Sequence, residues 1–306
     1  MLVILAPGQG SQKPGFMSSW LEIPEYKTKL QEFSDAISLD LIQHGTISDE
    51  ETIRDTAIAQ PLIVGASIAT ASLLNTANVS GVAGHSVGEV SAAAIANVLS
   101  DVQAMQLVNV RAKAMAHAAA TSEATSMAAV LGGEQETVLA RLSELGLSPA
   151  NYNGAGQIVA AGSKSGIEKL VAEGPQGSKV IPLSVAGAFH TSYMQPAVSE
   201  LEAFTSSVEI ANPEIKLWSN QNGQLVSDGS EFINLLVGQV ANSVRWDLCM
   251  DAMVKAGVTA VIEVSPAGTL AGLAKRGMPG VEIVALKEPK DLEPAQDLIN
   301  RSVKKD

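Results

Sequence analysis

Cysteine is almost absent from this chain of 306 residues. Cys249 stands alone, which excludes an intrachain disulfide and any zinc site built on paired cysteines. A reducing, cytoplasmic setting is the expectation that follows. Basic runs are missing as well. Twenty Lys and Arg against 32 Asp and Glu leave a net charge of −12, with no cationic stripe to follow a phosphate backbone. Nucleic acid is therefore not an expected partner, and an anionic ligand has to be met by a few local cations. Long apolar runs are also lacking. The best of them, PLIVGASIATASLL from Pro61 to Leu74, is broken by Gly65, Ser67, Thr70 and Ser72 and is too short for a bilayer. The apolar opening MLVILAP has no basic residues before it and runs directly into glycine and glutamine, so it reads as a buried first strand. No membrane association is expected.

What is present suits an enzyme. The 46% hydrophobic content is ample for one large core or a core with a smaller insertion. Strand-like and helix-like segments alternate, the pattern of an α/β fold with a largely parallel sheet. Strands are expected at 79–84, 215–218 and 259–264, and helices at 60–74, 89–98, 101–119, 192–208 and 246–256. The middle breaks the rhythm. Residues 126–185 read strand, helix, strand, strand, helix, strand, and this βαββαβ order is the ferredoxin-like motif. Its central strands are expected to turn at Asn153-Gly154. The expected domains are a catalytic unit of residues 1–124 and 187–306 and a small subdomain of residues 125–186.

Gly84-His85-Ser86-Val87-Gly88 matches the GxSxG elbow, in which small residues let a serine stand proud between a strand and a helix, with a plain glycine-rich turn as the alternative. Such a serine needs a base, and the chain has only His44, His85, His117 and His190. His85 is expected to point away across the strand, while His44 and His117 have no accompanying motif. His190 follows a strand and precedes a helix, where sites in open α/β sheets collect. Elbow hydrolases place an acid between the serine and the histidine. Here the only intervening aspartate is Asp101, which with Ser100 reads as a helix start. The base must therefore be oriented by something neutral. Two antiparallel helices after the elbow, each rising about 15 Å over roughly ten residues, return Arg111 to the level of Ser86. There its guanidinium is suited to a carboxylate on the acyl group, with a solvated surface arginine as the alternative. The loop Ala6-Pro7-Gly8-Gln9-Gly10-Ser11-Gln12 lacks the residues of a phosphate loop and of a dinucleotide fingerprint. It leaves an oxyanion hole or a plain turn.

Taken together, PGQGSQ at 7–12, AQP at 59–61, GHSVGE at 84–89, Arg111 in LVNVRAKAM, NYNGAGQIVAAG at 151–162, GAFH at 187–190 and VGQVANSVRW at 237–246 resemble the malonyl-CoA:acyl carrier protein transacylases of bacterial fatty acid synthesis. The resemblance covers essentially the whole chain. It implies an α/β-hydrolase-like domain carrying a ferredoxin-like insertion, with Ser86 as nucleophile and His190 as base. It further implies the carbonyl of Gln239 as the histidine's orienter, and the N–H groups of Gln9 and Val87 as the oxyanion hole. Arg111 is implied as the malonyl clamp, with Gln60 and Asn153 as neighbours. Phe189 resembles the malonyl-selecting form of related acyltransferases. Ser243 departs from the family, where proline is common. The implied partners are malonyl-CoA and an acidic acyl carrier protein, met by cations such as Lys113, Lys275 and Arg276. No cofactor or metal is implied, and a monomer is the default. A polyketide-pathway acyltransferase shares every one of these residues, and an esterase or thioesterase shares the elbow.

Overall fold

The computed structural model describes residues 1–302. Ten strands run through them: β1 Leu2–Ala6, β2 Gly81–Gly84, β3 Thr125–Gly132, β4 Ser148–Gly154, β5 Gln157–Ser163, β6 Ser178–Leu183, β7 Lys216–Trp218, β8 Val244–Arg245, β9 Ala260–Glu263 and β10 Glu282–Ala285. They form two five-stranded sheets. The larger has the order β10-β9-β1-β2-β7 and is parallel throughout. Its central strand, LVILA, is apolar at every position because it is covered on both faces. Leu2 and Ile4 pack into one core layer, and Val3 and Leu5 into the layer on the opposite side.

The second sheet has the order β6-β3-β5-β4-β8 and is antiparallel except where β4 runs parallel to β8. Side-chain alternation divides its strands between two environments. Ala128, Val130, Ile158 and Ala160 pack on the helices Gln135–Glu144 and Lys164–Ala172, while Met127, Val159 and Ala161 face the main body. The two-residue β8 is what joins the sheets' territories. Ser243 Oγ donates to the Pro149 carbonyl at 2.6 Å, and the Arg245 guanidinium lies 4.5 Å from the centre of the Tyr152 ring.

Most expected elements are present, with shifted ends. The helix expected at 60–74 spans Thr56–Ala71, because the Asp55 side chain caps it from below and Pro61 is carried inside it. The helix after the elbow stops at Ile95, and Asn97 turns the chain at φ 60°. Ser100, rather than Asp101, caps the next helix, Asp101–Thr121, in a reciprocal capping box with Gln103. The turn between β4 and β5 is corrected by two residues. Ala155 and Gly156, both at positive φ, make it, and Gly154 pairs with Gln157. Asn153 stays in the strand, buried, with its side chain bonded to His85. The helices Pro24–Ile37, Gly229–Gln239 and Leu292–Arg301 and strand β10 are further elements beyond those expected.

Candidate active site

Strand β2 ends at Gly84, and the helix Gly88–Ile95 begins four residues later. The intervening turn brings backbone against backbone. A Cβ on Gly84 would lie 2.1 Å from the Gly88 carbonyl carbon, and one on Gly88 would lie 2.2 Å from the Ala6 carbonyl oxygen. Only glycine fits at either position. Between them Ser86 is held at φ 54°, in the left-handed region that a serine rarely adopts.

His190 sits just beyond the small sheet, also at positive φ, and is buried. Its Nε2 lies 2.7 Å from Ser86 Oγ, and its Nδ1 lies 2.8 Å from the Gln239 carbonyl oxygen. A carbonyl can only accept, so the proton is on Nδ1 and Nε2 is free to take the serine's proton. Burial holds the imidazole neutral, with a pKa lowered to about 3. The charge of Arg111 acts in the same direction, against the Gln239 carbonyl. The orienting group is thus a neutral carbonyl, as the absence of an intervening acid requires. Among the described residues, neither the Gln9 N–H nor the Val87 N–H donates to an acceptor of the chain, and both flank the elbow.

Arg111 is fully buried, and its two terminal nitrogens are engaged while its Nε finds no hydrogen-bond partner among the described residues. Nη1 donates to Gln60 Oε1 at 2.7 Å and Nη2 to Gln239 Oε1 at 2.9 Å. Burial lowers its pKa to about 10, and the nearby Glu89 opposes that shift. The reactive pair opens onto a cavity of about 310 Å³ whose walls include Gln9, Gln60, Met115, Asn153, Phe189 and Arg276. Arg111 stands behind Gln60 rather than on that wall. His85 does not turn away as expected. Its ring lines the same cavity, bonds Asn153 at 2.9 Å and meets Trp246 edge-on. His44 bonds Ser48, and His117 is exposed on its helix, so neither reaches the site. Lys275 and Arg276 are exposed at the end of the helix Thr269–Gly277, where Arg276 borders the cavity and contacts Gln157. Lys113 is exposed on another helix and is no part of the cavity lining.

A model of the acyl transferase domain matches residues 3–289. Malonyl CoA-acyl carrier protein transacylase of Mycobacterium tuberculosis is 45% identical over 303 residues, covering 97% of this chain and all of the relative. The chain belongs to the malonyl CoA-acyl carrier protein transacylase family. Among solved transacylases, the crystal structure of the Mycobacterium tuberculosis protein superposes with a TM-score of 0.94 over 97% of this chain and 99% of that one. A malonyl-transacylase in complex with its type II polyketide acyl-carrier protein, 28% identical, superposes with a TM-score of 0.90 over 97% and 99%.

Two residues of this transacylase site carry no role in the sequence reading. Glu89 closes the GHSVGE run and is buried. Its carboxylate accepts from the Asn220 N–H at 2.6 Å and from Gln239 Nε2. Burial raises its pKa to about 8, against those donors and Arg111. An acid on the otherwise apolar face of the Gly88–Ile95 helix is the signal that marks it. Asn220 lies 131 residues further along the chain and has no local signal at all. Among the described residues no helix is long and apolar enough to cross a membrane, and no cluster suited to a metal ion is found.

Proposed function

We propose that the protein moves a malonyl group from malonyl-CoA to the phosphopantetheine thiol of an acyl carrier protein, in the cytoplasm, through an ester on Ser86. The observation that carries this reading is the single residue Gln239. Its carbonyl aligns His190, and its side chain holds the buried cation Arg111, so base and clamp are built on one frame. Ser86 Oγ attacks the thioester carbon while His190 Nε2 takes its proton. The Gln9 and Val87 amides receive the oxyanion. The intermediate collapses, the carbon–sulfur bond breaks, and CoA leaves with the proton from His190. In the second half the carrier thiol gives its proton to His190, attacks the ester and returns Ser86 to its hydroxyl form. One thioester replaces another, so water is the competitor to be excluded.

In this reading the malonyl carboxylate engages Arg111 when Gln60 releases Nη1, which makes Gln60 the group the substrate must displace. A hydrolase reading is disfavoured by the buried Glu89, whose carboxylate serves Asn220 and Gln239 and leaves His190 to a carbonyl. The finer fold assignment belongs here too. The β6-β3-β5-β4 order supports a ferredoxin-like unit of residues 125–186 inserted into an α/β-hydrolase-like domain, and Lys275 and Arg276 are the cations we assign to carrier docking. Intact-protein mass spectrometry with malonyl-CoA, methylmalonyl-CoA and acetyl-CoA, followed by phosphopantetheinylated carrier protein, tests the function. A malonyl adduct that is absent in Ser86→Ala, persists in water and discharges onto the carrier is expected. Rapid loss as free malonate would overturn it.

A further inference from the structure

Asn220 follows β7, is fully buried and does not line the cavity. It nevertheless bonds at two points the backbone that leads into the strained serine. Its Oδ1 accepts from the Ser86 N–H at 2.8 Å, and its Nδ2 donates to the Gly84 carbonyl at 2.7 Å. Those backbone groups also fix which way the amide points, since the N–H can only donate and the carbonyl only accept. Asn220 is itself tied down. Its N–H donates to Glu89 Oε1, its carbonyl accepts from the Arg245 N–H at 2.8 Å, and Oδ1 takes a second bond from Gln239 Nε2 at 3.2 Å. Gln239 Nε2 also donates to the Ser86 carbonyl at 3.2 Å and to Glu89.

A left-handed non-glycine residue persists only where its surroundings over-determine it. Here the Gly84 carbonyl, the Ser86 N–H and the Ser86 carbonyl are all engaged by this one buried cluster. We infer that Asn220 is a positioning residue: it pins the elbow backbone around Ser86 and, with Glu89, couples it to the Gln239 segment that aligns His190. Removing the amide leaves two backbone groups unpaired at the point of strain, and Oγ drifts from Nε2. The inference rests on Ser86 being the nucleophile proposed above. It does not depend on malonyl being the acyl group.

The test uses the full chain and two acylating reagents, malonyl-CoA and a small fluorophosphonate that reports serine reactivity alone. In Asn220→Ala, acylation by both is expected to slow by about a hundredfold, the scale of a small misplacement of reacting atoms. The Kd for malonyl-CoA, measured in a Ser86→Ala background with and without the Asn220 change, is expected to stay within twofold. Asn220→Asp, equal in shape, sets a carboxylate oxygen against the Gly84 carbonyl beside Glu89. It is expected to slow acylation likewise, and it gives the reading if the alanine variant does not fold. Acylation within threefold of the parent in the variants overturns the inference. So does a rise in Kd that matches the fall in rate, which would make Asn220 a general support of the pocket. A parent that reacts with fluorophosphonate but not with malonyl-CoA would instead overturn the proposed function and leave the role of Asn220 standing.

Discussion

Lowering the pH separates a buried neutral base from an ordinary histidine. With the usual pKa near 6.5, only about 3% of a histidine is neutral at pH 5, and a rate that needs the neutral ring falls roughly thirtyfold between pH 7.5 and pH 5. His190 is held at about 3 by burial and by the charge of Arg111. At that value about 99% remains neutral at pH 5, and the rate is expected to change by less than about twofold. The first half-reaction is the one to measure, by rapid quench and mass spectrometry of the Ser86 adduct, because it involves no carrier thiol. A window of pH 5 to 7 also stays below the shifted Glu89, raised to about 8. The His190 shift has a stability consequence of definite sign. The folded pKa lies below the unfolded one, so this contribution is complete above pH 6.5 and is lost as the pH falls towards 3. A drop of tenfold or more between pH 7 and pH 5, half complete near 6.5, would refute the argument that burial sets the protonation state of this base.

Other perturbations read other parts of the site. Arg111→Ala removes the charge-assisted bond to the malonyl carboxylate, worth about 1.5 to 3 kcal/mol, so the kcat/KM preference for malonyl-CoA over acetyl-CoA is expected to fall by about tenfold to a hundredfold. A retained preference rules out the clamp. Phe189→Ser opens the cavity wall beside His190, and the methylmalonyl to malonyl ratio of kcat/KM is expected to rise between about tenfold and a hundredfold, the range one methyl group commands. No change would free Phe189 of that role. Gly88→Ala forces a methyl onto the Ala6 carbonyl and is expected to cost about 3 kcal/mol or more in urea unfolding. Gly272→Ala, inside the helix Thr269–Gly277 and with the nearest neighbour of its Cβ at 3.9 Å, serves as the unstrained control and is expected to gain up to about 1 kcal/mol.

The parts that were legible in the sequence are those with a local physical signature. A strand buried on both faces is apolar throughout, and LVILA announces itself. The elbow is marked by glycines that sit where backbone meets backbone. Helix rise alone carries Arg111 back to the level of Ser86. It says nothing of Gln60 and Gln239, 51 and 128 residues away, which engage its two terminal nitrogens. The Asn153-Gly154 pair misleads for a related reason: as a dipeptide it favours a turn, but the His85 ring across the cavity engages Asn153 in the strand. His85 was misplaced by the same blindness to tertiary partners. Asn220 and Glu89 form the clearest case. Buried polar residues are explained by the bonds they make, and every partner of Asn220 lies elsewhere in the chain.

The short parallel pairing of β4 with β8 has a mechanical meaning. Asn151 of β4 lines the cavity and registers with Val244, a few residues after the carbonyl that aligns His190. The wall of the cavity is thereby tied to the segment that follows the mount of the base, and the tie is braced by Ser243 and by the stack of Arg245 on Tyr152. Moving β4 away from that segment breaks these bonds. A displacement of β8 is thus shared by the cavity wall at Asn151 and by the segment that carries the orienting carbonyl of the base.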